Sequence, residues 1–570
     1  MNLTRTCVRQ KFATPSALRL LTLAIGAGLG VTAAACGGGG SSGGGGSGSV
    51  APGTGTSKPT SPTSPSTPTT PTTPTTPTTP TTPTTPTTPV PTGAARLGTN
   101  LGTHIYYTPE WAFVDVMKYT KVKDGYPWDV IGGGSPALDA DGWPKGLSSG
   151  QAVSTVAMVG IGGHYPAGVY TLMFEGDGEV QTSLDAAAVK ASHGGVGTAV
   201  HQVLVKPTGT GIQIRIARSN PANYVRNVRL LMPGFQDANA FHPLFLERIR
   251  PFAVLRFMDW GRTNRSTMSR WADRTKPTYR SQAGVKGVAW EWMIDLANQV
   301  NREPWICIPH LADDDYVKQL ATLVRDRLRP GLRVHVEYSN EVWNGAFSQA
   351  GAVKAAGAKV GRDMWQQYAA RSVEIFRTFE QVFGGKERLV RVLGAQSNNI
   401  GVAKQILAAT PEGAADVVAI APYFGGQLGS KYASQAKGMT VDQILDWCAA
   451  DVATQAQHVR NHLGLARPRG MAVVAYEGGQ HLCGVGANAD DANLTAKFIA
   501  ANRHARMGQI YKDYLAMWKR ETGTLFVHFN TVYVPQKWGS WGSLEYQDQT
   551  GAPKYNALIE AANLWHAAGQ

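Results

Sequence analysis

The chain has 570 residues, 54 Lys and Arg against 40 Asp and Glu, a formal charge of +14, and 16% charged residues. The first 92 residues carry Arg5, Arg9, Lys11, Arg19 and Lys58 and no acid, so the remainder holds +14 − 5 = +9, spread without any Lys/Arg block. No basic helix or nucleic-acid motif accompanies that excess, which excludes nucleic acid as an expected partner and leaves a weak preference for acidic polymers open.

Residues 1–36 have a basic start, the apolar run "LLTLAIGAGLGVTAAA" and then Cys36. This is the layout of a secretory signal, and the run is shorter than the roughly 20 residues a bilayer crossing needs. Ala33, Ala34 and Ala35 before Cys36 resemble a bacterial lipoprotein cleavage box, although Leu is missing from its first position; a lipidated Cys36 is one expectation and ordinary cleavage after Ala-x-Ala the other. Residues 37–92 form a linker: Gly and Ser first, which is flexible, then proline at every third position, which favours an extended polyproline II rod. At about 3.1 Å per residue its proline-rich part would reach on the order of 110 Å, holding a domain away from a surface. Export to the cell envelope or surface, with a membrane anchor through Cys36, follows as an expectation.

The folded part is expected over 93–570. Its first strand is placed at "RLGTNLG" (96–102), with a helix in "PEWAFVDVMKYT". Residues 137–235 then hold "STVAMVG", "GVYTLMFEG", "TAVHQVLVK", "GIQIRIAR" and "VRNVRLLM", strand-like runs separated by Gly, Pro and Asn, which read as a small β-sandwich-like insertion. Structural packing and sugar binding are both open for it. Seven further strands are read at 252–258, 304–310, 333–339, 388–396, 417–423, 471–477 and 525–530, with amphipathic helices such as "DDDYVKQLATLVRDRL" between them. Eight strands alternating with helices predict an α/β fold, a (β/α)8 TIM barrel interrupted after its first unit.

Two strands end in a carboxylate. "RVHVEYSNEVWNG" alternates until Asn340 and Glu341, and "MAVVAYE" stops at Glu477; the 477 − 341 = 136 residues between them are about 45 for each of three strand–helix units. Both glutamates would enter one barrel mouth, although acids beside helix starts also serve as caps, which is how Asp313, Asp314 and Asp315 are read. Trp343, Trp260, Trp538 and Trp541 follow strand ends, and indoles around a mouth suit sugar rings. His310 and His528 end strands as well and either touch substrate or are buried and hydrogen-bonded.

Asn340-Glu341 after the fourth strand and Glu477 after the seventh resemble the catalytic arrangement of glycoside hydrolase clan A, over roughly residues 96–135 and 240–570. "LRFMDWGRTN", "PHLADDDYV" and "VEYSNEVWN" are similar to a group of secreted bacterial proteins labelled cellulose-binding. The clan resemblance implies a retaining glycosidase acting on a β-linked polysaccharide or oligosaccharide, with Glu341 as acid/base and Glu477 as nucleophile. It also implies that Arg256 and Tyr423 hold Glu477 and that Asn340 holds a sugar 2-hydroxyl. The competing expectation is a carbohydrate-binding surface protein on a barrel scaffold without turnover. No cofactor is expected, a monomer is, and Cys307, Cys448 and Cys483 match no zinc pattern. Barrel order places Cys448 and Cys483 in neighbouring units and suggests a bridge between them, with Cys307 a buried free thiol.

Overall fold

The computed structural model describes residues 95–236 and 240–567. The signal segment, Cys36 and the linker lie outside the described residues. Eight parallel strands, Leu97–Asn100, Val254–Arg256, Glu303–Ile308, Val334–Tyr338, Leu389–Gly394, Val417–Ile420, Ala472–Ala475 and Phe526–His528, close into a barrel in which the first pairs with both the second and the eighth. Strands covered on both faces are mostly apolar, and nearly every residue of the eight is buried; the exceptions in type, such as Asn100, Arg256, Glu303 and Glu337, are buried too. Helices pack outside with their ends specified locally. Asp313 accepts from the Tyr316 amide to start Asp314–Arg327, and capping boxes Asp363/Gln366 and Thr440/Gln443 start Met364–Phe383 and Val441–Ala466. The capping role read for Asp313 therefore holds.

The helix expected in 109–120 is absent apart from a 3-10 turn, Val116–Tyr119. The backbone of this stretch pairs with the chain returning to the barrel: the Val114 amide donates to the Ala240 carbonyl, and the Met232 amide to that of Val114. Those tertiary partners replace the i→i−4 bonds a helix would make.

Between the first and second barrel strands the chain forms two antiparallel sheets. One has five strands in the order Asp129–Ile131, Ala152–Ala157, Ile212–Ser219, Gly178–Leu184, Lys190–His193; the other has Gly168–Glu175 between Thr198–Val205 and Arg226–Leu231. Alternation places Ile212, Ile214 and Ile216 from the first and Tyr170, Leu172 and Phe174 from the second in one buried apolar cluster. The segment starts earlier than residue 137, and three of its strands are too short or too polar to stand out in sequence. A loop of this segment is clamped to the barrel: the His164 ring stacks on Tyr546 at 3.7 Å and its Nδ1 lies 3.0 Å from Asp548.

Cys307, Cys448 and Cys483 are all buried and free, so the suggested bridge is not formed. Cys483 Sγ instead lies 3.6 Å from His481 Nδ1. No helix among the described residues is long and apolar enough to cross a membrane.

Candidate active site

The fourth strand ends where its backbone leaves the extended region. Ser339 (φ 62°) and Glu341 (φ 42°) are both left-handed, which costs a non-glycine residue roughly 1–2 kcal/mol. Surrounding bonds hold the turn. The Ser339 amide donates to the Ile308 carbonyl at 2.8 Å, and Gln349 Nε2 donates to the Asn340 carbonyl at 2.9 Å. Alternation is thereby broken at the residue whose carboxyl must enter the mouth.

Arg256, at the end of the second strand, is fully buried and organises the floor. Its Nη1 donates to Glu477 Oε1 at 2.9 Å and to Asn100 Oδ1 at 3.1 Å; its Nη2 donates to Asn340 Oδ1 and to Glu337 Oε2, each at 2.8 Å; its Nε donates to the same Glu337 oxygen at 3.2 Å. Glu337 Oε2 also accepts from Trp305 Nε1 at 2.9 Å and Cys307 Sγ at 3.3 Å. Neither Glu337 nor Asn100 is singled out by sequence reasoning. The available signal is that a Glu and an Arg occupy positions in strands buried on both faces, where unpaired charge is not tolerated.

The two strand-terminal glutamates are buried in different company. Glu477 has a donor on each oxygen, Arg256 Nη1 and, at 2.9 Å on Oε2, the Tyr423 hydroxyl. Glu341 receives the Tyr476 hydroxyl on Oε1 at 3.1 Å and Asn344 Nδ2 on Oε2 at 2.9 Å, and makes no ion pair among the described residues. Burial raises the pKa of both. At Glu477 the Arg256 charge and the Tyr423 hydrogen bond oppose that rise, while at Glu341 the Glu477 charge adds to it. Hydrogen bonds from Asn344 and Tyr476 and the Arg256 charge oppose the rise at Glu341 too, but Glu477 adds to it there, so of the two carboxyls Glu341 is held further above its ordinary value.

The other expected site residues divide into near and far. Tyr423, Trp343 and Glu341 share the lining of a cavity of about 140 Å³ with Asn398, His458 and His481. Trp541 is buried with its ring edge-on to Tyr423 at 5.9 Å and His481 at 5.1 Å, and its Nε1 donates to the Trp538 carbonyl. Trp538 itself lies under Lys537 Nζ at 4.5 Å. His310 is buried at the end of the third strand with Nδ1 lacking a protein partner among the described residues, and its ring is not joined to the Arg256 network. Trp260 is a core residue, packed on Phe113, Phe245 and Phe257. His528 is buried against the Tyr511 hydroxyl at 3.3 Å, the packing alternative. Asn340 is held from both ends, since its Nδ2 donates to Asn264 Oδ1 at 3.1 Å.

No family model matches the chain, and no curated protein does. Among solved structures it is similar to the CBM22-1 and GH10 modules of a Clostridium thermocellum endo-1,4-beta-D-xylanase, at 10% identity over 79% of this chain and 97% of that one, with a TM-score of 0.35. It is also similar to a GH51 arabinofuranosidase from Xanthomonas axonopodis pv. citri (10% identity, 58% and 67% covered, TM-score 0.39). A third is a GH5 xyloglucan-specific beta-1,4-glucanase from a ruminal metagenomic library (11% identity, 57% and 86% covered, TM-score 0.35). Likenesses at this level do not carry chemistry from one barrel to another.

Proposed function

We propose that this protein is an exported glycoside hydrolase that cleaves β-linked polysaccharide or oligosaccharide with retention of anomeric configuration. The observation that carries the reading is the unequal pair: Glu477 bonded by Arg256 and Tyr423, and Glu341 buried with no ion pair among the described residues. Glycosidic cleavage passes through an oxocarbenium-like state that needs a proton on the departing oxygen and an electron pair beneath the anomeric carbon. Glu341 gives its proton to the glycosidic oxygen as that bond breaks, and a Glu477 oxygen forms the bond to the anomeric carbon. Glu341, now ionised, takes a proton from water, whose oxygen displaces Glu477 and regenerates both groups. Asn340 keeps one amide N–H for the sugar 2-hydroxyl, and the cavity lined by Trp343 and Asn398 receives the leaving group.

Cys36, once lipidated, and the proline-rich linker would tether the barrel to the cell envelope. The deciding experiment is turnover of aryl β-glycosides and neutral β-glycans, with the first-formed anomer followed by NMR. Binding without turnover would replace the hydrolase with a carbohydrate-binding protein, and an inverted first product would replace the retaining mechanism.

A further inference from the structure

A second cavity, of about 200 Å³, lies on the other side of the mouth from the Glu341-lined one. Barrel loops supply Tyr106, Tyr107, Val532, Tyr533 and Gln536, and the inserted segment supplies Val159. Its lining follows the ends of the first and eighth barrel strands, next to Asn100 of the Arg256 network. Thr103, in the lining, follows Asn100 by three positions, and its side chain bonds Asp259, whose charge is felt at Glu477. Val532 follows Thr531, whose amide donates to the Asn100 carbonyl at 3.0 Å.

The wall from the inserted segment is fixed in place. The Val159 amide donates to the Tyr106 carbonyl at 3.3 Å, and Trp111 Nε1 donates to the His164 carbonyl at 2.9 Å, beside the clamp of His164 onto Tyr546 and Asp548. A groove of this kind is present before any ligand arrives, so little ordering cost opposes binding. No Asp, Glu, Lys, Arg or His lines it, and its half-buried tyrosines suit the apolar face of a pyranose ring with hydroxyls at the rim. Lys121 Nζ lies 5.7 Å from the centre of the Tyr106 ring but is not part of the lining.

We propose that this groove binds uncharged pyranose units of the substrate chain beyond the ring held over Glu477, and that the inserted segment thereby gives the enzyme its preference for chains over short glycosides. The proposal rests on the glycosidase reading, and its test separates the two. Full-length protein carrying Glu477→Gln is titrated calorimetrically with β-linked gluco-, manno-, galacto- and xylo-oligosaccharides from disaccharide to hexasaccharide. In parallel, kcat/KM of the otherwise native protein is measured on the same series. At least one series should gain about tenfold in affinity on extension into the groove. Tyr107→Ala, which removes a stacking face, and Val159→Trp, which fills the groove from the inserted segment, should each abolish that gain. Length-dependent binding that both variants abolish, in a protein with no turnover, upholds the groove and overturns the hydrolase. Turnover whose chain-length dependence survives both variants in folded protein, or affinity independent of length, overturns the groove.

Discussion

Arg256 holds Glu477 and Glu337 with one guanidinium, at 2.9 Å and 2.8 Å, so a strand residue that never reaches the mouth competes for the cation that keeps the mouth carboxylate ionised. The two acids share one positive charge in a buried floor. Replacing Glu337 with Gln keeps the shape and releases that charge to Glu477. The pKa of Glu477 should fall, and the acid limb of the kcat/KM profile should move to lower pH. Arg256→Ala leaves two buried carboxylates unpaired and should cost about 3–5 kcal/mol in denaturant unfolding. Arg256→Lys should fail for lack of the fork, losing at least about 100-fold in kcat/KM. An acid limb that stays in place in Glu337→Gln would disprove the competition.

Tyr423→Phe works in the opposite direction. It removes the 2.9 Å donor on Glu477 Oε2, an interaction that lowers the Glu477 pKa. A hydrogen bond to a charged group is worth about 1.5–3 kcal/mol, so the acid limb should shift to higher pH and the rate below it should fall roughly tenfold or more. Profiles of the two variants displaced in the same direction would contradict the electrostatic account of the pair.

The barrel was legible because strands covered on both faces are apolar runs, and "FAVLRFM", "VVAIAPY" and "MAVVAYE" stand out against helices whose caps are written in Asp313, Asp363 and Thr440. Glu341 and Glu477 stood out in sequence as carboxylates at the ends of such runs, and the structure brings Asn340 and Glu477 together on Arg256. Glu337 did not stand out: alternation marks it as strand, and only the three-dimensional approach of Arg256, Trp305 and Cys307 gives it a partner set. Residues 109–120 misled because their helix-like apolar spacing serves an extended chain packed on Phe241 and Leu231. Cys448 and Cys483 misled because neighbouring barrel units do not bring their thiols together.

Glu341→Gln should stabilise the protein in a pH-dependent way. The folded-state pKa of Glu341 is raised above the ordinary 4.5, so the unfolded chain ionises first as pH rises. The contribution of the group to stability is complete below that ordinary value and is lost as pH rises through the folded-state pKa. At pH 4 the variant should gain nothing over the native protein, and its advantage should grow as pH rises above the ordinary carboxyl value. Thermal or urea unfolding across that range checks this, and a difference independent of pH would remove the raised carboxyl from the account.

Cys36→Ala should release the protein from membranes while leaving its unfolding transition unchanged. The inference follows from the apolar run before Cys36 and from the Gly/Ser-rich and proline-rich composition of residues 37–92. Fractionation of cells expressing each form is the measurement. A variant that is processed normally and still sediments with membranes would rule out lipidation at this position.

The unequal pair predicts that its two members fail differently. Glu477→Gln removes the group that bonds the anomeric carbon, so turnover should collapse on every substrate by roughly 10⁴-fold or more while sugar affinity persists. Glu341→Ala removes the proton donor. An aryl glycoside with a good leaving group does not need that proton, so the glycosyl–Glu477 bond should still form, and it should accumulate because no base activates water. Azide needs no base; added to this variant it should restore turnover and yield a glycosyl azide of retained configuration, whereas it should do nothing for Glu477→Gln. The basic limb of the pH profile, set in the native protein by loss of the Glu341 proton, should vanish in Glu341→Ala. Rescue of the Glu477 variant rather than the Glu341 variant would exchange the two roles, and near-native rates in both variants of an active protein would move the chemistry elsewhere in the mouth.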